Sequence, residues 1–222
     1  MDRIVIIDIT ASKLEPFEKL GFRTMKCNIQ DIQTKEWMGL PQYHLQKPRF
    51  YVSPANSLGY MDGGIDRAYM GMFDDIQARV QKCIRSHKIM SLTGIPYLPI
   101  GSAIIVKADE DNDYLIAAPT MLMPQPIRTT ENPYWAMRAI LKVWTEYGTL
   151  IVPPLGCGYG CVKPEDAARM MKKAVDDHIF TGPRKDTSHY IHNLDLMKQQ
   201  PKYYDNTEFF DIPAEEVINM DF

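Results

Sequence analysis

Two glycine-bearing loops, residues 53–66 and 153–164, carry the residue types best suited to holding a phosphorylated ligand. The first reads Ser-Pro-Ala-Asn-Ser-Leu-Gly-Tyr-Met-Asp-Gly-Gly-Ile-Asp, the second Pro-Pro-Leu-Gly-Cys-Gly-Tyr-Gly-Cys-Val-Lys-Pro. Glycine lets a backbone approach a ligand closely and take φ > 0, and a following helix aims its free amides at an anion. Asn56 and Asp66 bracket the adjacent Gly63 and Gly64, so together they can contact sugar hydroxyls and position a water. Each also has a plainer use, Asn56 as a turn former and Asp66 as a first-turn helix carboxylate. The common nucleotide motifs are missing: Gly156, Gly158 and Gly160 do not complete G-x-G-x-x-G, and G-x-x-x-x-G-K-[ST] occurs nowhere.

The four cysteines, Cys27, Cys83, Cys157 and Cys161, form no CxxC pair, which favours reduced thiols in a cytoplasmic setting. Cys157 and Cys161 lack a second pair of ligands, so no zinc site is expected, and His189 and His192 read as solvated tail residues. Neither a metal nor a cofactor is called for.

Short apolar runs alternating with helical stripes must position the two loops. Residues 3–8 are a near-continuous apolar run, as in a strand buried on both faces. Ser12 and Glu15 suggest a capping box opening a helix that Gly21 closes. Further strands are expected at 24–29, 49–53, 102–107, 114–118 and 149–153. Helices are expected at 65–87, 133–147 and 164–179, with a short helix or insertion within 31–48. The reading is α/β: a three-layer α/β/α domain over residues 1–181 with a mixed six- or seven-stranded sheet. Residues 182–222, rich in charge, form a C-terminal extension. In a parallel sheet both loops lie at the carboxyl ends of strands, as two walls of one cleft.

With 222 residues, 45% hydrophobic and 24% charged, the chain has ordinary globular composition and enough length to bury roughly 70% of its unfolded surface. A net charge of −3 gives no electrostatic drive toward strong free nucleic-acid binding or acidic membranes. No leader or membrane-length apolar run is evident.

The first loop resembles the ligand loop of macro domains, the ADP-ribose-binding modules. Their usual form is Asn-Ala-Ala-Asn, with the Asp of a Gly-Gly-Val-Asp run ten residues on, an offset that Asn56 and Asp66 keep. The second loop resembles the family's phosphate loop, and Gln30-Asp31-Ile32 resembles its Gly-Asp-Ile element. The likeness covers roughly residues 3–180, and the variant that opens with a βα unit and reads Ser-Pro-Ala-Asn resembles stand-alone bacterial and phage macro-like proteins.

The resemblance implies that Asp31 accepts a hydrogen bond from the adenine amino group with Ile32 beside it; Asp8 is the alternative if Asp31 lies elsewhere. It gives Asn56 the hydroxyls of the distal ribose, with Ala55 in the same wall, and Gly63, Gly64 and Ile65 the pyrophosphate. Asp66 sits where the family's hydrolases position a water. Gly156, Cys157, Gly158, Tyr159, Gly160 and Cys161 wrap the other side. Three departures stand out. Ser53 replaces the first Asn; Met61 and Asp62 stand where hydrolytic members carry glycine; and Tyr159 is one position away from the family's ribose-covering aromatic, where Gly160 stands. Asp62 is therefore either turned away from a dianionic ligand or catalytic. The expected function is ADP-ribose binding with hydrolysis of a derivative: an ADP-ribosylated macromolecule, ADP-ribose-1″-phosphate or O-acetyl-ADP-ribose. The alternative is a non-catalytic reader or sponge for ADP-ribose or a related NAD-derived signal.

Overall fold

The computed structural model describes residues 2–109, 112–144 and 147–181. The extension from residue 182, with His189 and His192, lies outside the described residues. Six strands form one sheet: β1 (Ile4–Asp8), β2 (Arg23–Lys26), β3 (Arg49–Ser53), β4 (Ile104–Lys107), β5 (Asp113–Ala117) and β6 (Thr149–Val152). Their order is β2-β1-β6-β3-β5-β4. All neighbours run parallel except β4, which pairs antiparallel with β5 at one edge.

Period-two alternation divides the strands between two cores. Ile4, Ile6, Phe50, Val52, Leu150 and Val152 face one side. Val5, Ile7, Tyr51, Leu115 and Ile151 face the other. The first core is covered by α1 (Ala11–Lys19), α5 (Asn132–Val143) and α6 (Pro164–Thr181). The second is covered by α2 (Asp31–Trp37), α3 (Gly64–Met72) and α4 (Ile76–Ser86). This is the expected three-layer arrangement, with six strands.

Three local expectations change. The helix foreseen at 65–87 is two helices, because Asp75 takes a left-handed φ of 55° and breaks the ladder while Phe73 and Ile76 stay buried on either side. Ser12 lies inside α1, whose N-cap residue is Thr10 with no side-chain cap bond, and Asp8 Oδ1 accepts the Thr10 amide at 2.8 Å. The second strand stops at Lys26, so Cys27, Asn28 and Ile29 are a loop leading into α2. Gly21, at φ 80°, does terminate α1, with its amide bonded to Glu18 O and that of Phe22 to Phe17 O. No helix among the described residues is long and apolar enough to cross a membrane.

Candidate functional site

Because β1, β2, β3, β5 and β6 are parallel, the segments after them meet at one end of the sheet. They enclose a cleft of about 670 Å³, within the range that holds a small organic ligand. One wall is the loop after β3 and the N-terminus of α3; the opposite wall is the loop after β6. The two glycine loops thus face one another.

The first loop is held by its own side chains. Asn56 Oδ1 accepts the amides of Leu58 at 3.0 Å and Tyr60 at 3.3 Å, and its Nδ2 donates to Tyr60 O at 3.0 Å. Only one Nδ2 hydrogen is left for a ligand, so Asn56 is a turn former first. The Met61 amide donates to Gln77 Oε1, and Gly59, at φ 74°, lies against Ile84 and Val80, pinning the loop to α4. Gly63 is the N-cap residue of α3, and the first amides of that helix have no partners within it.

The second loop spends its carbonyls inward. Gly156 O accepts from Val162 N, Gly158 O from Cys161 N, and Gly160 O from Ile127 N. The amides of Gly158, Tyr159 and Gly160 take no part in these bonds. Gly156 has a φ of 76° and packs against Val162, Ile127 and Pro133, whereas nothing stands within 4 Å of a Cβ built on Gly158. Tyr159 is 69% exposed, and its ring edge approaches Gly63, leaving 3.3 Å to a Cβ built there. The tyrosine bridges the mouth of the cleft even though its sequence position is one off.

Asp66 is the most unusual group. It is 8% exposed, and burial pushes its carboxyl from 3.8 to about 7, with the charge of Asp62 adding to the rise. The adjacent Ser53 hydroxyl favours the charged form, but Ser53 Oγ and Asp66 Oδ1 are both buried without a hydrogen bond of normal geometry. A first-turn helix carboxylate ordinarily ionises easily; here desolvation outweighs the helix dipole. Cys157 also lines the cleft, yet burial raises its thiol to about 12, so it is no nucleophile at neutral pH.

Asn56, Asp62, Asp66, Ala55, Gly63, Gly64 and Ile65 line one wall, and Gly156, Cys157, Gly158, Tyr159 and Gly160 the other. Asp31, Ile32 and Cys161 are outside the lining. Asp31 pairs with Lys35 one turn along α2 at 2.9 Å, Ile32 is wholly buried in the core, and Cys161 is turned to solvent. The cleft instead contains Asp8 and Ile9, with Asp8 3.6 Å from Lys13. A signal for this was present: Asp8-Ile9 is an Asp-Ile pair at the very end of a strand, whereas Asp31 stands five residues past one. No group of His, Cys, Asp and Glu among the described residues could hold a metal ion.

A family model for the macro domain matches residues 52–171. That is more than half the chain, and the protein belongs to the macro domain family. The macrodomain of Mycobacterium tuberculosis DarG is similar at 21% identity over 58% of this chain and 81% of that one, with a TM-score of 0.47. Thermosipho africanus DarTG in complex with ADP-ribose matches at 19% identity over 57% of this chain and 35% of that one, TM-score 0.46. The Oceanobacillus iheyensis macrodomain with ADP matches at 18% identity over 68% of this chain and 84% of that one, TM-score 0.45.

Proposed function

We propose that this macro domain binds ADP-ribose and hydrolyses an ADP-ribose derivative: an ADP-ribosylated macromolecule, ADP-ribose-1″-phosphate or O-acetyl-ADP-ribose. The observation carrying this reading is Asp66, a buried carboxyl with an unsatisfied oxygen and a pKa of about 7, in the wall of a cleft between two glycine loops. A group that gains and loses a proton near neutral pH suits acid–base catalysis. In this reading Asp8 takes the adenine amino group and the amides of Gly63 to Ile65 and Gly158 to Gly160 take the pyrophosphate. Tyr159 covers the distal ribose, and Asp66 accepts a proton from the attacking water. Asn56 holds the loop in shape and offers its one remaining hydrogen to a ribose hydroxyl.

The test pairs calorimetry with turnover. Wild type should bind ADP-ribose at micromolar or tighter affinity and prefer it to AMP, which lacks the second phosphate and the distal ribose. Asp66→Asn should keep the affinity within a few fold and lower release of ADP-ribose, phosphate or acetate by roughly 10²–10⁴. Tight binding with no turnover of any of the three substrate types would leave a reader in place of a hydrolase; equal affinity for AMP would remove the ADP-ribose reading itself.

A further inference from the structure

The charges lining the cleft are unbalanced along its length. At the β1 end Asp8 faces Lys13 at 3.6 Å, so a negative and a positive group meet there. At the α3 end Asp62 and Asp66 line the wall together, and no basic side chain is among the lining residues beside them. Asp62 immediately precedes Gly63 and Gly64, so a carboxylate borders the amides that suit a diphosphate. Asp66, in the same wall, is more than nine-tenths buried and its Oδ1 lacks a hydrogen-bond partner. The mutual repulsion of the two groups is part of what raises Asp66. Tyr60, two residues before Asp62, is 41% exposed and lines the same wall on a turn fixed by Asn56. Two carboxylates and an aromatic ring form the recognition chemistry of a flat cation.

Resting on the ADP-ribose reading above, we propose that the preferred ligand is an ADP-ribose whose anomeric carbon bears a planar, delocalised cation held by Asp62 and Asp66 against Tyr60. Two chemical sources carry such a group: the pyridinium of an oxidised nicotinamide dinucleotide and the guanidinium of an ADP-ribosylated arginine. The cation places one positive charge between the dianionic diphosphate and the two carboxylates, which relieves both repulsions at once.

The experiment compares charged and neutral ligands of matched size by calorimetry in EDTA, so that no metal ion supplies the positive charge. One pair is the oxidised and the reduced nicotinamide dinucleotide. The other is an arginine-linked and a serine-linked ADP-ribosyl peptide. Wild type should prefer the charged member of at least one pair by tenfold or more, and the pair that discriminates identifies the source. Asp62→Asn should bring that ratio close to one while tightening free ADP-ribose a few fold, because it removes repulsion from the diphosphate; Asp62→Glu should restore the preference. Equal affinity within both pairs, with ADP-ribose still bound, overturns the proposal alone, as does a preference that survives Asp62→Asn. Failure to bind any of these ligands overturns the ADP-ribose reading together with it.

Discussion

Asp66 shows how one side chain can be named from sequence while its chemical state is not. Its offset from Asn56 singled it out, and the fold places it in the cleft wall, but a place in the first turn of a helix by itself favours an ionised acid. The state is set chiefly by burial in the folded protein. The wholly buried Tyr69 is close enough to interact with it electrostatically, and Ser53 offers one hydroxyl where the family pattern carries an amide. The consequence for stability has a definite sign. A carboxyl raised from 3.8 to about 7 on folding binds its proton more tightly in the native state, so its contribution favours folding below pH 4 and is lost as pH rises toward 7. That gap corresponds to on the order of 4 kcal/mol between the protonation states. Asp66→Asn, which keeps the shape and removes the charge, should therefore change Tm little at pH 4. At pH 8 it should raise Tm by several degrees, the difference growing between those values and flat above. Thermal melts across that range test it; a gain independent of pH would mean the native carboxyl is not raised.

Elements were legible where their periodicity was unbroken. The two-sided strands and the stripe of α4 follow from apolar spacing alone. The break at Asp75 was hidden because Phe73 and Ile76 are both buried, so the stripe continues while the backbone does not. The loops divide in the same way. Three glycines in five residues signalled a backbone that needs room, but not which glycine needs it. At Gly156 the need is a φ of 76° together with contact to Val162. At Gly160 a Cβ would stand 2.5 Å from Gly156 O and 2.8 Å from Ile127. At Gly158 there is open space and no left-handed φ, so a substitution there meets no backbone strain. Gly158→Val should accordingly melt within about 2 °C of wild type and still lose ADP-ribose binding by a hundredfold or more, because its methyl groups enter the ligand's space. Gly160→Val should lose stability as well, by roughly 1–3 kcal/mol from overpacking. If Gly158→Val is folded and binds normally, that part of the loop faces away from the ligand.

At the scale of the whole molecule, the sheet separates what binds from what holds. The cleft occupies the carboxyl ends of the parallel strands, which alternation of strands and helices made foreseeable. Strand order and the tie at the opposite end were not, since pairing between distant segments leaves no local mark. That tie is a buried ion pair between the first residues of two adjacent strands, Arg49 of β3 and Asp113 of β5. Arg49 Nε donates to Asp113 Oδ1 at 2.9 Å and its second guanidinium nitrogen to Oδ2 at 2.6 Å, with Gln33 of α2 at 3.5 Å. Both side chains are almost wholly out of water, so the pair fixes the register of β3 on β5 more than it adds net stability. Removing one partner takes the two-pronged ion pair away from a charge that stays buried. Asp113→Asn or Arg49→Met should each cost about 3–5 kcal/mol in urea unfolding, while Arg49→Met with Asp113→Leu should recover most of that loss. Strand β3 spans five residues at about 3.3 Å each, so the pair lies on the order of 15 Å from the ligand loops. The folded fraction of every variant should then bind ADP-ribose with wild-type affinity. A variant with normal urea stability would show that the pair carries no structural weight, and one that is stable but binds poorly would show that strand register reaches the cleft.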